Sequence, residues 1–144
     1  MEFLPEVQNV LKFLHHYSGG TLRKSGDVGG LLDIAARQDL ADVINELIFL
    51  GSALWKVYRA LRRSETAGYP AERLEQEVYA LAARMRSQLQ TLLATDKAPA
   101  AFVKRCQQIY FDAPGALRNL IDLAHDLQWL HKLQQEMRRR STDE

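Results

Sequence analysis

Asp122 and His125 stand one helical turn apart, a spacing at which a carboxylate and an imidazole can share a metal ion. Metal centres in helical bundles take acidic residues and Glu-x-x-His pairs from several helices, and no second Asp/Glu-x-x-His pair exists here. His15 and His16 are adjacent and so diverge on a helix, and His131 reads as a boundary residue. If Leu120, Leu123 and Leu127 face a core, Asp122 and His125 turn outward beside Arg118 and Lys132. The expectation is a chain with no metal and no cofactor. Gly20-Thr-Leu-Arg-Lys24-Ser25 ends in the Lys-Ser of a phosphate-binding loop, but Arg23 occupies the place that requires glycine, and no strand precedes it.

Arg118 and Asn119 precede His125, which lies two turns beyond Arg118 on the same helix face. This arrangement is similar to the signature of HEPN ribonucleases, in which arginine, a following polar residue and histidine line a cleft between two helical subunits. The resemblance implies acid–base chemistry by His125 on an RNA 2′-hydroxyl, with Arg118 holding the phosphate and no metal required. It covers a short stretch of one helix, and Leu127 stands where the family usually carries tyrosine or a polar residue. A helical bundle with one exposed histidine also resembles phosphorelay transfer domains in architecture. Those place a base and then a glycine after the histidine, where this chain has Gln128 and Trp129.

The elements that would position these side chains are marked by punctuation. Gly19, Gly20, Gly26, Gly29 and Gly30 crowd one region, and Gly51, Gly68, Gly115, Pro5, Pro70, Pro99 and Pro114 are scattered. Helix interiors tolerate these residues least, at about 1 kcal/mol for Gly and 3 for Pro, so helices are expected over 31–67, 71–98 and 116–144. Apolar residues at alternating spacings of three and four agree: Leu40, Val43, Leu47, Leu50, Leu54, Val57 and Leu61 form one stripe, with Ile44, Ile48, Gly51, Trp55 and Tyr58 beside it. A helix with two adjacent stripes touches more than one neighbour. Shorter amphipathic pieces surround Leu4, Val7, Leu11 and Leu14, and Phe102, Cys106 and Ile109. Acids come early and bases late in each long segment, as the helix dipole favours. The fold expected is all-α: an up-and-down antiparallel bundle of four main helices plus an N-terminal amphipathic helix, forming one domain over 1–144. Residues 18–30 are expected to form a mobile Gly-rich loop.

The composition is that of a globular domain, 47% hydrophobic and 26% charged over 144 residues. Nineteen bases against 18 acids leave a net charge of +1, so no global field draws the chain to nucleic acid or anionic lipid. Arg138, Arg139 and Arg140 read as a solvated helix end. A lone Cys106 excludes an internal disulfide and fits a reducing compartment. The opening Met-Glu-Phe-Leu-Pro-Glu is acidic where a secretory leader is basic, and no segment approaches the ~18 apolar residues of a membrane span. A cytoplasmic protein without membrane contact is expected. Phe49 and Trp129 fall on outer helix faces, and exposed aromatics mark contact sites. The expected function is therefore non-enzymatic, through self-association as a homodimer or contact with a helical protein partner, with Phe49 and Trp129 at the interface. The alternative is metal-independent RNA cleavage by Arg118, Asn119 and His125, the one case in which nucleic acid is a partner.

Overall fold

Glycine and proline lie near most helix ends, but one helix runs through Gly26, Gly29 and Gly30. The helix expected over 31–67 is broken at 38–40, where Asp39 has left-handed backbone and neither residue type is present. The computed structural model describes residues 7–143, and the side chains of 10–140. It contains α1 (Val7–Tyr17), α2 (Ser25–Arg37), α3 (Ala41–Thr66), α4 (Glu72–Leu93), α5 (Ala100–Gln107) and α6 (Ala116–Asp143). A π-helical turn, Gln108–Asp112, continues α5. The chain is all-α, with no strand among the described residues, but it has six helices where four plus one were expected.

The additional helix comes from the glycine-rich region. Residues 18–30 were expected to be a loop; instead Ser25 begins α2, and the connection shortens to 18–24. Each helical glycine costs about 1 kcal/mol relative to alanine, and burial of Val28, Leu31, Leu32, Ile34 and Ala35 offsets it. Two of those glycines also sit where bulk is excluded. A Cβ on Gly30 would lie 2.4 Å from the Phe102 ring, and one on Gly29 would lie 2.7 Å from Leu11. Left-handed backbone at Gly19 and Gly20 turns the chain out of α1.

At 26 residues and about 39 Å, α3 is the central element. It packs against α4 and α6 and buries Ile44, Leu47, Ile48, Leu50 and Leu54 completely. Antiparallel pairing of α3 with α6 is visible in matched contacts: Asn45 accepts a hydrogen bond from Gln134, Gly51 abuts Leu127, Trp55 meets the ring of His125, and Tyr58 meets Arg118. The helices approach closely at Gly51, where an added Cβ would stand 2.7 Å from Leu127 Cβ.

Two buried carboxylates fasten the short helices. Asp27 on α2 accepts hydrogen bonds from the Tyr110 hydroxyl at 2.5 Å and from Arg105 Nε at 3.2 Å. This joins α2 to α5 and its π turn. Asp126 on α6 accepts the backbone N–H of Arg23 at 2.9 Å and that of Lys24. It thereby supplies acceptors at the start of α2, where Lys24, the N-cap residue, makes no side-chain cap of its own.

Candidate functional site

Along α6 the three residues of the ribonuclease resemblance are each held by a different partner. Asn119 Nδ2 donates to the Ile109 carbonyl at 3.0 Å, satisfying a backbone acceptor of the π turn. Arg118 Nη1 donates to the Tyr58 hydroxyl at 3.0 Å, and its Nε lies 3.7 Å from Asp122. Asp122 is also held by Arg23 at 2.8 Å. His125 stands edge-on to Trp55, with ring centroids 4.6 Å apart, and its side chain is only 13% exposed. Its Nδ1 lies 3.5 Å from Asp126 Oδ1 and makes no hydrogen bond among the described residues.

The outward placement expected for Asp122 and His125 is corrected by this geometry. Asp122 is held by Arg23 of the connection between α1 and α2, whose amides at Arg23 and Lys24 are drawn onto α6 by the Asp126 carboxylate, and His125 packs on the Trp55 ring of α3. A wheel drawn on α6 alone does not include those partners. Every position from Leu120 to Leu130 is buried or half-buried, so this stretch has no fully exposed face.

Cys106 is fully buried, and desolvation together with the Asp27 charge pushes its thiol up to about 12. It remains a protonated, unreactive side chain at neutral pH. His15 and His16 are exposed and stand on α1, away from the other histidines of α6 in sequence.

The two aromatic outliers open onto different sides of α6. Trp129 is half-buried because α1 lies beside it: Tyr17 meets its ring edge-on at 5.5 Å, and the Lys132 ammonium sits 4.7 Å from its centroid. Phe49 is 54% exposed on α3 and stands edge-on to His131 at 6.3 Å. It borders a small polar cleft of about 310 Å³ between α3 and α6, with Asp42 and Glu46 among its walls. Desolvation, Lys56 and Arg138 together hold the His131 imidazole below its usual pKa.

The larger concavity, about 550 Å³, lies between α1 and the C-terminal part of α6. Phe13, Tyr17, Trp129, Leu133 and Met137 give it an apolar lining. Phe13 is 50% exposed, Tyr17 65% and Met137 44%, and Phe13 stacks on Tyr17 at 5.9 Å. Lys132, Arg139 and Arg140 border it, with Glu136 as the one carboxylate among the described residues. Arg139 holds Glu136 at 2.6 Å, and that contact keeps its pKa below the usual carboxylate value.

Of this groove, sequence reasoning identified Trp129 and missed Phe13 and Tyr17. Their signal was present: they are four residues apart, hence on one face of α1. Met137, at helical spacing from Leu130 and Leu133, lies in the same open groove.

Comparison with protein-family models, curated proteins and solved structures returns no match to this chain.

Proposed function

We propose that this chain is a non-enzymatic interaction protein, and that the groove between α1 and α6 is its docking face. The observation that supports this reading is the cluster of Phe13, Tyr17 and Met137, all substantially exposed around the half-buried Trp129. Contiguous exposed apolar surface mixing aromatic residues and methionine is the composition of protein interfaces, not of an ordinary solvated face. By contrast, the acid–base candidates are engaged in holding the fold. His125 is packed on Trp55, Asn119 serves the π turn, and Arg118 is shared between Tyr58 and Asp122.

Phe13→Ser/Met137→Ser tests the reading, because both positions are half exposed and the substitutions leave the core intact. Two measurements are made on wild type and variant: absolute mass by light scattering across a concentration series, and anisotropy of labelled amphipathic helical peptides. A dimer near twice 16.4 kDa that dissociates in the variant supports the reading, with a second copy in the groove. A monomer whose peptide binding disappears in the variant supports it with a foreign helix there. A monomer that binds no peptide overturns it.

A further inference from the structure

Resting on that reading, we infer that the occupant of the α1–α6 groove is an amphipathic helix of another protein, with acidic residues flanking its apolar stripe. The groove is bounded by two helices whose backbone groups are already bonded internally, so it offers no strand edge for an extended peptide to join. An occupant must bring its own satisfied backbone, which a helix does. Trp129 and Arg140 are three turns of α6 apart, about 16 Å, a length that seats two to three turns of a docked helix.

Charge selects which helix. Among the described residues the groove's cations are Lys132, Arg139 and Arg140 against the single acid Glu136, a net +2 on its described border where the whole chain carries +1. Glu136 is already bound by Arg139 and Arg140, so it has little left to offer a basic partner. Carboxylates on either side of an apolar stripe complement this border.

A second copy does not fit as well. Groove against groove would bring two basic borders together. Outside the groove the exposed large apolar residues are Phe49 on α3, Tyr69 in the α3–α4 connection and Tyr79 on α4, which are on separate elements. No described helix of a partner copy therefore presents an exposed apolar stripe flanked by acids. Single-stranded nucleic acid fits less well too. Its bases need open aromatic faces, whereas Lys132 covers one face of Trp129, and Phe13 and Tyr17 are stacked on each other.

The experiment uses the whole chain and three fluorescent probes. One is a helical peptide of about three turns with a Leu/Phe stripe flanked by Glu, the second is its twin flanked by Lys, and the third is oligo(U) RNA. The Glu-flanked peptide is expected to bind at least about tenfold more tightly than its twin and to weaken with added salt. Lys132→Glu/Arg140→Glu is expected to reverse the preference, and gained binding of the Lys-flanked peptide shows that the variant is folded. Equal binding of the two peptides, lost in Phe13→Ser/Met137→Ser, overturns the acidic occupant and leaves the groove as a docking face. Binding of neither peptide removes both. Binding of oligo(U) with both peptides inert replaces the protein partner by nucleic acid.

Discussion

The carboxylate of Asp126, on α6, accepts the backbone N–H of Arg23 at 2.9 Å across 103 residues of sequence. The neighbouring amide of Lys24 is bound by the other oxygen. One buried side chain thus ties the start of α2 to α6. Asp126→Ala leaves two amides without acceptors in a half-buried site, and each such loss costs about 1–3 kcal/mol, more where the partner is charged. The expected result is a stability lowered by about 2–4 kcal/mol, seen as a lower urea midpoint, with faster hydrogen exchange at Arg23 and Lys24. A variant of unchanged stability would mean that another group starts α2.

How much of this was legible beforehand depended on whether the information was local. The stripes on α3 were readable because Leu47, Leu50 and Leu54 recur at helical spacing, and all are fully buried. Phe49 was readable as an outer residue for the same reason. The start of α2 was not, since Gly26, Gly29 and Gly30 argue locally against a helix that close packing on Phe102 and Leu11 makes favourable. Asp122 and His125 were misplaced because their partners come from elements far off in sequence, Arg23 for Asp122 and Trp55 for His125. A hydrophobic period describes one helix and carries no information about a distant loop drawn down by a carboxylate. Trp129 was recognised as an outlier, but its partners Phe13 and Tyr17 acquire meaning only when α1 is seen beside α6.

The glycines of α2 and α3 predict effects of opposite sign. Gly26 lies in the first turn of α2 with nothing within 4 Å of an added Cβ, so Gly26→Ala meets no clash. It is expected to stabilise the chain by about 0.5–1 kcal/mol through helix propensity and reduced unfolded-state freedom. Gly51→Ala brings a methyl group to 2.7 Å from Leu127 Cβ at the α3–α6 contact. That close to another helix it is expected to destabilise by about 1–3 kcal/mol. Thermal melts of the two variants should move in opposite directions. A stabilised Gly51→Ala would show that the two helices can separate freely there.

High pH should loosen the α2–α5 clamp. Desolvation, then the hydrogen bond and charge of Asp27, raise the Tyr110 phenol far above its ordinary value; burial and Asp27 raise Cys106 from 9.0 to about 12. Above pH 9 the unfolded chain therefore releases protons that the folded chain retains. Their contribution to stability is complete below that pH and falls as pH rises through the interval up to about 12. Tyr110→Phe removes the phenol's bond to Asp27 and is expected to cost about 1–3 kcal/mol at neutral pH. Its stability should then decline less steeply with alkali, so the two curves converge. Parallel curves would mean that Tyr110 takes no part in alkaline unfolding.

The ribonuclease resemblance leads to a last prediction, which the geometry of His125 makes sharp. An acid–base histidine must reach the proton it moves, within about 3 Å of a substrate atom or through one water. Here the ring is 87% withdrawn from solvent, lies against Trp55, and has its Nδ1 beside Asp126. The purified chain is therefore expected to leave labelled RNA intact in EDTA. His125→Ala is expected to act on stability instead, lowering it by about 1–2 kcal/mol through lost packing on Trp55. Arg118→Ala, removing a 61%-exposed side chain, should change stability by less than about 1 kcal/mol. Metal-independent cleavage that disappears in both His125→Ala and Arg118→Ala, with circular dichroism unchanged, would reverse this conclusion. It would require the His125 ring to leave Trp55, and a change in tryptophan fluorescence on addition of RNA would reveal that motion.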